Sequence, residues 1–459
     1  LLYNSLAHIT TWLRSDFGTV SSKKSGLPAE KVEEYLAKGY ALDDRVGTSY
    51  LEKEYEEYLQ GTHTVREIKT DKNGNVASDK VLSEGKSGQN LKLTINADFQ
   101  AGVENILQQY YEADITSGYA TYSEGAYAVA LNPKTGAVLA MAGLSHDVGS
   151  TTTQLDALGT INDIFVPGSV VKAATLTAGW KSNVISGNQV LTDQPINIAG
   201  SPSIKSWFTD YGSRNITAVQ ALEYSSNTYM VQVALKMMGQ EYHSGMALST
   251  SGMKKAMEEL RATYAEYGMG TSTGIDLPEN TTGYLSKEYS AGNVLTEAFG
   301  QYDSYTPMQL AQYAATVANG GSRIAPHLVE GIYESDGKGG LGTLTKTIES
   351  KVLNKVDISS EDMDLIHQGF YQVVNGTDAF ATGSHMRSST VTIAGKTGTA
   401  ETYAVDASGN AVTTINLSVL AYDYSETDDS HIAVAVIIPH LTSDDNHTNQ
   451  VIARDIINL

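Results

Sequence analysis

Residues 165–172 read FVPGSVVK and place Ser169 three positions before Lys172. On a helix, side chains three apart lie on one face, so this pair would project from the same side, one turn apart. Pro167 and Gly168 predict a turn followed by a helix, with Ser169 as its opening residue. Free backbone N–H groups and the positive end of the helix dipole favour an oxyanion there. Because a base within hydrogen-bond reach activates a serine hydroxyl, the stretch predicts an acyl-transfer serine.

Other pairs share the S-x-x-K spacing, and their surroundings distinguish them from the pair at Ser169. Among the matches are those that begin at Ser21, Ser83, Ser169 and Ser251. The first two lie in polar segments, and Ser251 is predicted to cap a helix that starts at Met253. Only Ser169 follows a Pro-Gly turn and precedes an apolar run. An apolar setting lowers the pKa of a lysine by desolvation, as a general base at neutral pH requires.

A second element, S-x-N, has its most informative match at Ser225 and Asn227. The other three matches are loop-like, with Gly or Arg at the centre, and begin at Ser186, Ser213 and Ser408. Residues 225–227 instead lie between two predicted helical pieces. There the Ser225 hydroxyl can pass a proton, and the Asn227 amide offers both a donor and an acceptor to a peptide.

A third element, Lys-Thr-Gly, occurs at Lys134 and at Lys396. The first copy joins two apolar runs and predicts a hairpin turn. The second copy extends the predicted strand 391–395, and glycine on both sides of it permits close approach of a ligand. Lys396 with the hydroxyls of Thr397 and Thr399 would suit recognition of a carboxylate.

The composition excludes several classes of function. The 459 residues favour two or three domains, and the net charge of −21 argues against a nucleic-acid partner. Without cysteine there are no disulfides or thiolate ligands, and the ten histidines form no metal-spaced cluster, so we expect neither a metal nor a cofactor. No apolar run is long enough to cross a membrane. The GxGxxG at residues 337–342 has no helix after it, which argues against nucleotide binding.

The order of predicted elements indicates a mixed α/β fold. Residues 1–90 are charge-rich, with predicted helices at 27–40 and 51–59 and a hairpin around residues 66–75. From residue 91 onward, strands are predicted near 91–95, 127–143 and 390–438, with helices dominating the middle. The sheet is therefore predicted to be split between the two ends of the sequence. We place the domain boundary between residues 90 and 91.

Taken in order, S-x-x-K, S-x-N and K-T-G form the signature of the penicilloyl-serine transferases. Further segments resemble the class B penicillin-binding proteins, monofunctional D,D-transpeptidases of peptidoglycan synthesis, and within them the penicillin-binding protein 2b group of streptococci, which act in elongation. These segments are residues 47–61, 93–104, 274–278, 299–301, 306–311, 318–321 and 454–457. The resemblance implies a transpeptidase domain at 91–459, with a central antiparallel sheet flanked by helices. It implies an incomplete upstream pedestal, or dimerisation, domain at 1–90.

The resemblance also implies how a donor peptide ending in D-Ala-D-Ala is acylated. Ser169 attacks the carbonyl of the penultimate D-Ala, and Lys172 accepts its proton, held neutral partly by the Lys396 cation. Ser225 relays a proton to the departing D-Ala amine. Asn227 binds the substrate backbone and helps to hold Lys172.

Substrate binding is expected from the Lys-Thr-Gly strand. Lys396, Thr397, Gly398 and Thr399 bind the terminal carboxylate, and the backbone N–H groups of Ser169 and Thr399 form the oxyanion hole. An amine of a neighbouring stem peptide then resolves the acyl-enzyme. β-Lactam antibiotics follow the same route and block deacylation, and altered segments are common in resistant members of the family.

Partners and location are expected from the family as well. They are peptidoglycan stem peptides, β-lactams, a membrane-embedded glycan polymerase and proteins of the elongation complex. The expected site is the extracytoplasmic face of the bacterial membrane, with a transmembrane anchor upstream of Leu1. The rival interpretations are a serine β-lactamase, a D,D-carboxypeptidase, a β-lactam sensor and a non-catalytic scaffold.

Overall fold

Two short segments from the middle of the chain fold with its beginning. The computed structural model describes residues 19–22, 24, 26–406, 408–426 and 429–459. Contacts divide the chain into a first unit, which ends at Ala97 and also holds Ile275–Pro278 and His327–Glu349, and a second unit with the remainder. Sequence patterns gave no sign of these two additions to the first unit. The boundary at residues 90 and 91 stays a prediction, and residues 1–18 of the upstream domain lie outside the described residues.

The first unit consists of short helices and two small antiparallel groups of strands. Its helical segments are Ala29–Lys31 (a 3-10 turn), Val32–Ala37, Tyr50–Glu54 and Glu56–Leu59. Its strands are Val65–Thr70, Val76–Ser83, Asn90–Leu93, Val329–Ser335 and Leu341–Thr347. The first two strands form the predicted hairpin, whose turn is closed by Asp71 accepting from the N–H groups of Asn73 and Asn75. The glycine-rich segment 337–342 includes the turn of another hairpin, with Asp336 accepting from the N–H groups of Lys338 and Gly340.

A six-stranded antiparallel sheet organises the second unit. Its strands in chain order are β1 (Gly125–Leu131), β2 (Val138–His146), β3 (Thr153–Leu155), β4 (Ile393–Val405), β5 (Ala411–Asp423) and β6 (Ala433–Leu441). The spatial order is β4-β5-β6-β1-β2-β3, so β6 pairs with β1 and joins the two ends of the sequence. The predicted split sheet is therefore confirmed. Between β1 and β2, Asn132 accepts from the N–H groups of Lys134 and Thr135, so the first Lys-Thr-Gly copy is a hairpin turn, as predicted.

Helices cover both faces of this sheet. The alternation in β1 places Ala126, Ala128 and Ala130 in one apolar cluster, against residues of the helices Ala97–Ser117 and Thr448–Asn458. The helix Pro307–Ala318 contacts β1 and β6 and is buried along its whole length. The other α-helices are Gly159–Asn162, Lys172–Lys181, Ala218–Glu223, Asn227–Met237, Met253–Glu266, Ala291–Glu297 and Ser360–Asn375. Three 3-10 turns are Gly168–Val171, Thr209–Tyr211 and Ser384–Met386, and two further strand pairs are Leu191–Asp193 with Arg214–Ile216 and Ser322–Ile324 with Val352–Lys355.

Within the part of the chain that the structure describes, no helix is both long enough and apolar enough to cross a membrane.

One carboxylate holds the inserted segments of the first unit together. Asp276 accepts hydrogen bonds from the Tyr55 hydroxyl (2.7 Å) and from the backbone N–H groups of Leu328 (2.7 Å) and Val329 (3.0 Å). Both N–H groups belong to fully buried residues. An acceptor at this position is therefore needed to avoid two unpaired donors in the interior.

We predict that Asp276→Ala lowers the free energy of unfolding of the first unit by about 2–4 kcal/mol, because two buried N–H groups lose their acceptor. Hydrogen exchange measured by mass spectrometry should show faster exchange at Leu328 and Val329. The exposed Glu334 provides the control, since Glu334→Ala should change stability by less than about 0.5 kcal/mol. Equal effects of the two substitutions would contradict the role given to Asp276.

Candidate active site

Ser169 lies in a tight turn that leads directly into a buried helix. Residues Gly168–Val171 form a 3-10 turn, and the α-helix begins at Lys172, so Ser169 precedes the α-helix by one turn instead of opening it. The backbone N–H of Gly168 donates to the Gly300 carbonyl (2.9 Å), and the Ser418 hydroxyl donates to the Pro167 carbonyl (2.5 Å). These two bonds tie the turn to Gly300 and to β5.

Lys172 is fully buried and has three hydrogen-bond partners on the S-x-N segment. Its Nζ lies 2.6 Å from the Ser225 carbonyl oxygen, 3.1 Å from Ser225 Oγ and 2.8 Å from Asn227 Oδ1. In the described part of the chain no hydrogen bond joins Lys172 to Ser169. The predicted base, Lys172, is thus hydrogen-bonded to the predicted relay, Ser225. The predicted nucleophile, Ser169, lies one helical turn before Lys172.

The S-x-N segment is a sharp corner between two helices. Ser225 follows the helix Ala218–Glu223 and has φ +55°, a left-handed conformation that costs a non-glycine residue about 1–2 kcal/mol. Ser226 caps the next helix, since its Oγ accepts from the N–H of Tyr229. The corner directs the Ser225 side chain and carbonyl toward Lys172.

Lys396 reaches the same hydroxyl from the sheet. It lies in β4, is fully buried, and donates from Nζ to Ser225 Oγ (2.9 Å) and to the Thr397 carbonyl (2.9 Å). The Thr397 hydroxyl donates to Thr382 Oγ1 (3.0 Å). Since side chains alternate along a strand, Thr397 and Thr399 both lie on the open side of β4, and both line the cavity.

The predicted catalytic and substrate-binding groups meet at one cavity of about 850 Å³. Ser169, Ser225, Asn227, Thr397, Gly398 and Thr399 line it, while Lys172 and Lys396 lie behind its wall. Further lining residues that the sequence analysis did not identify are Trp207, Thr382, His385, His447, Asn449 and Gln450. They come from loops, from the 3-10 turn Ser384–Met386 and from the start of the last helix. A lone polar or aromatic residue in such a segment has no spacing that would reveal it.

The electrostatics of the two lysines differ. Burial lowers the pKa of Lys172 well below its ordinary value, and the adjacent Lys396 lowers it further, while Asp193 acts in the opposite direction. Burial lowers the pKa of Lys396 to about 7. Lys172 is therefore suited to accept a proton at neutral pH, and Lys396 keeps part of its positive charge there.

The turn at Gly168 packs directly on β4. A Cβ atom at Gly168 would lie 2.6 Å from the Thr399 carbonyl oxygen, and one at Gly398 would lie 2.8 Å from the Pro167 carbonyl oxygen. This contact brings the backbones of Ser169 and Thr399 close together. Their pairing as an oxyanion hole stays a prediction.

Comparison with known proteins places these elements in a family context. Residues 126–458 match the family described as the penicillin-binding protein transpeptidase domain, and residues 10–93 match the penicillin-binding protein dimerisation domain. The chain is 56% identical to penicillin-binding protein 2B of Streptococcus pneumoniae (strain D39), over 98% of this chain and 66% of the relative. It is 37% identical to penicillin-binding protein 2A of Bacillus subtilis, over 96% of this chain and 61% of the relative.

A solved structure of a penicillin-binding protein has the same fold. Penicillin-binding protein 2B from Streptococcus pneumoniae strain R6 aligns with a TM-score of 0.90 and 56% identity, covering 97% of this chain and 71% of that one. The chain thus spans about two thirds of the length of the curated relatives it matches.

We predict that Gly168→Ala lowers the free energy of unfolding by about 2–5 kcal/mol, because a Cβ combines backbone strain at φ +67° with a clash against Thr399. Gly187 is a matched control, since its φ is +49° and nothing lies within 4 Å of a Cβ there. Gly187→Ala should cost only about 1–2 kcal/mol. Urea unfolding of both variants measures the difference, and equal losses would show that the contact with β4 is not tight.

Proposed function

The chain belongs to the penicillin-binding proteins with a transpeptidase domain, and we propose that it is a peptidoglycan D,D-transpeptidase acylated at Ser169. The observation that carries the proposal is the arrangement of Lys172 and Lys396 on the Ser225 hydroxyl, at a cavity with Ser169 in its wall. A nucleophile, a buried amine of lowered pKa, a relay hydroxyl and a cation are the parts that serine acyl transfer requires.

The first half-reaction begins with proton transfer from Ser169 to Lys172. Oγ of Ser169 attacks the carbonyl carbon of the penultimate D-Ala, and the tetrahedral oxyanion is held by the backbone N–H groups of Ser169 and Thr399. The proton on Lys172 then passes through Ser225 Oγ, 3.1 Å away, to the nitrogen of the leaving D-Ala. The C–N bond breaks, and the ester on Ser169 remains.

Substrate orientation is assigned to β4 and to Asn227. Lys396 and the hydroxyls of Thr397 and Thr399 bind the terminal carboxylate, while Gly398 lets the peptide approach the strand. The Asn227 side chain is held by Lys172 and by the Lys205 carbonyl, which leaves it in position to bond the peptide backbone. In the second half-reaction the amine of a neighbouring stem peptide attacks the ester, and the reverse proton path restores Ser169.

The remaining assignments follow from the family. We propose residues 1–90 as the pedestal domain and 91–459 as the transpeptidase domain. We also propose that the protein acts on the outer face of a bacterial membrane. Its proposed partners are a glycan polymerase and elongation proteins, and its proposed inhibitors are β-lactams.

We predict that incubation with benzylpenicillin adds the mass of one drug molecule, and that Ser169→Ala abolishes the adduct because the nucleophile is gone. Intact-mass spectrometry measures both. Ser251→Ala, which alters another S-x-x-K match on an exposed residue, should acylate like the unmodified protein. No adduct in the unmodified protein would refute the proposed function, and an adduct lost within seconds would indicate a β-lactamase instead.

Acylation should also depend on pH in a defined direction. The reactive form of Lys172 is neutral, so the rate falls as the pH drops through the lowered pKa of Lys172. Removing the Lys396 ammonium raises that pKa, so Lys396→Gln should move the acid limb of the pH–rate profile to higher pH as well as slow acylation. The exposed Lys351 is the control, because Lys351→Gln should leave the profile unchanged. A limb that stays in place in Lys396→Gln would contradict the coupling of the two lysines.

A further inference from the structure

A buried carboxylate lies behind the corner that carries Ser225 and Asn227. Asp193 ends the short strand Leu191–Asp193 and has no exposed surface. It accepts hydrogen bonds from three hydroxyls: Ser206 Oγ (2.6 Å), Ser226 Oγ (2.5 Å) and Thr209 Oγ1 (3.0 Å). An ionised carboxylate in the interior is tolerated only with such a set of donors.

Two of these hydroxyls also accept hydrogen bonds from the helix that begins at Asn227. Ser206 Oγ accepts from the N–H groups of Asn227 (3.0 Å) and Thr228 (3.3 Å), and Ser226 Oγ accepts from the N–H of Tyr229 (3.0 Å). The first N–H groups of the helix are thus connected to Asp193 through one serine each. A negative charge at this end of a helix is also favoured by the helix dipole.

The strained corner depends on this anchoring. Ser225 keeps its left-handed backbone only if the residues on both sides of it are fixed. On its C-terminal side, Ser226 and Asn227 are fixed by the serine–carboxylate network. If that network loosens, the Ser225 hydroxyl and the Asn227 amide move relative to Lys172. The Lys172 Nζ donates hydrogen bonds to both of these residues.

Asp193 also favours the protonated form of Lys172, one of two neighbouring buried lysines. Lys172 and Lys396 both lie within hydrogen-bond distance of Ser225 Oγ and are both fully buried. The charged groups that act on Lys172 are Lys396, which disfavours its protonated form, and Asp193, which favours it. During acylation Lys172 takes up a proton next to a cation, so a buried anion close by lowers the cost of that step.

We propose that Asp193 is a positioning residue for acyl transfer, which holds the Ser225–Asn227 corner through Ser206 and Ser226 and supplies a buried counter-charge for Lys172. This inference rests on the proposed function and assigns a role to a residue outside the three sequence elements. Asp193 does not touch the substrate cavity and acts through its neighbours.

Asp193→Asn tests the proposal because it keeps the shape and removes the charge. We expect the second-order rate constant for acylation by a fluorescent penicillin to fall about tenfold or more. A factor of ten corresponds to a rise of about 1.4 kcal/mol in the activation free energy. We also expect the acid limb of the pH–rate profile to move to lower pH, because protonated Lys172 loses its counter-charge. Asp210→Asn is the matched control, as Asp210 is exposed and directly follows Thr209, one of the residues bonded to Asp193. It should change neither quantity.

Ser206→Ala separates positioning from charge, since it removes the link to Asn227 and retains the carboxylate. Acylation should slow in Ser206→Ala, and the acid limb of the pH–rate profile should stay in place. Thermal unfolding confirms that each variant is folded, and if Asp193→Asn does not fold, the rate in Ser206→Ala decides. Acylation at the unmodified rate in Ser206→Ala, or an unshifted limb in folded Asp193→Asn, would overturn the proposal. These results differ from failure of the proposed function, in which the unmodified protein itself forms no adduct.

Discussion

Two lysine side chains are buried against one serine hydroxyl, and the rest of the site is arranged around that contact. An ionised ammonium group loses several kcal/mol of hydration when it is buried, and two side by side repel each other as well. Each ammonium group has polar partners that replace part of this hydration. Lys172 donates to the Ser225 carbonyl and to Asn227, and Lys396 donates to the Thr397 carbonyl. The remaining desolvation cost lowers the pKa of both lysines. A lysine with a lowered pKa is suited to proton transfer at neutral pH.

Three elements far apart in sequence supply these groups. Lys172 begins a helix whose residues are buried as far as Trp180, Ser225 occupies a corner between two helices, and Lys396 lies within the long strand β4. The turn before Lys172 is held against β4 and β5 by backbone approach at Gly168 and Gly398 and by the Ser418 hydroxyl. Sites built on such elements hold their geometry better than sites on loops.

Much of this arrangement could be predicted from the sequence. The three short elements were each distinguished from look-alikes by their local setting, and all the predicted groups meet at one cavity or in its wall. The hairpin at Lys134 and the split sheet were predicted from turn residues and alternation. The start of the α-helix was placed too early, because spacing alone does not separate a 3-10 turn from the first turn of an α-helix.

The sequence by itself predicted which residues meet at the cavity, because reactive groups at set spacings are local patterns. The tertiary structure alone decided which lysine bonds to which oxygen, since Lys172 and Lys396 come together through helix and sheet packing over more than two hundred residues. It also revealed the first unit's additions at Ile275–Pro278 and His327–Glu349 and the carboxylate of Asp193 behind the corner. A single aspartate in a short strand has no periodicity to mark it, and only burial among hydroxyl groups makes its role visible.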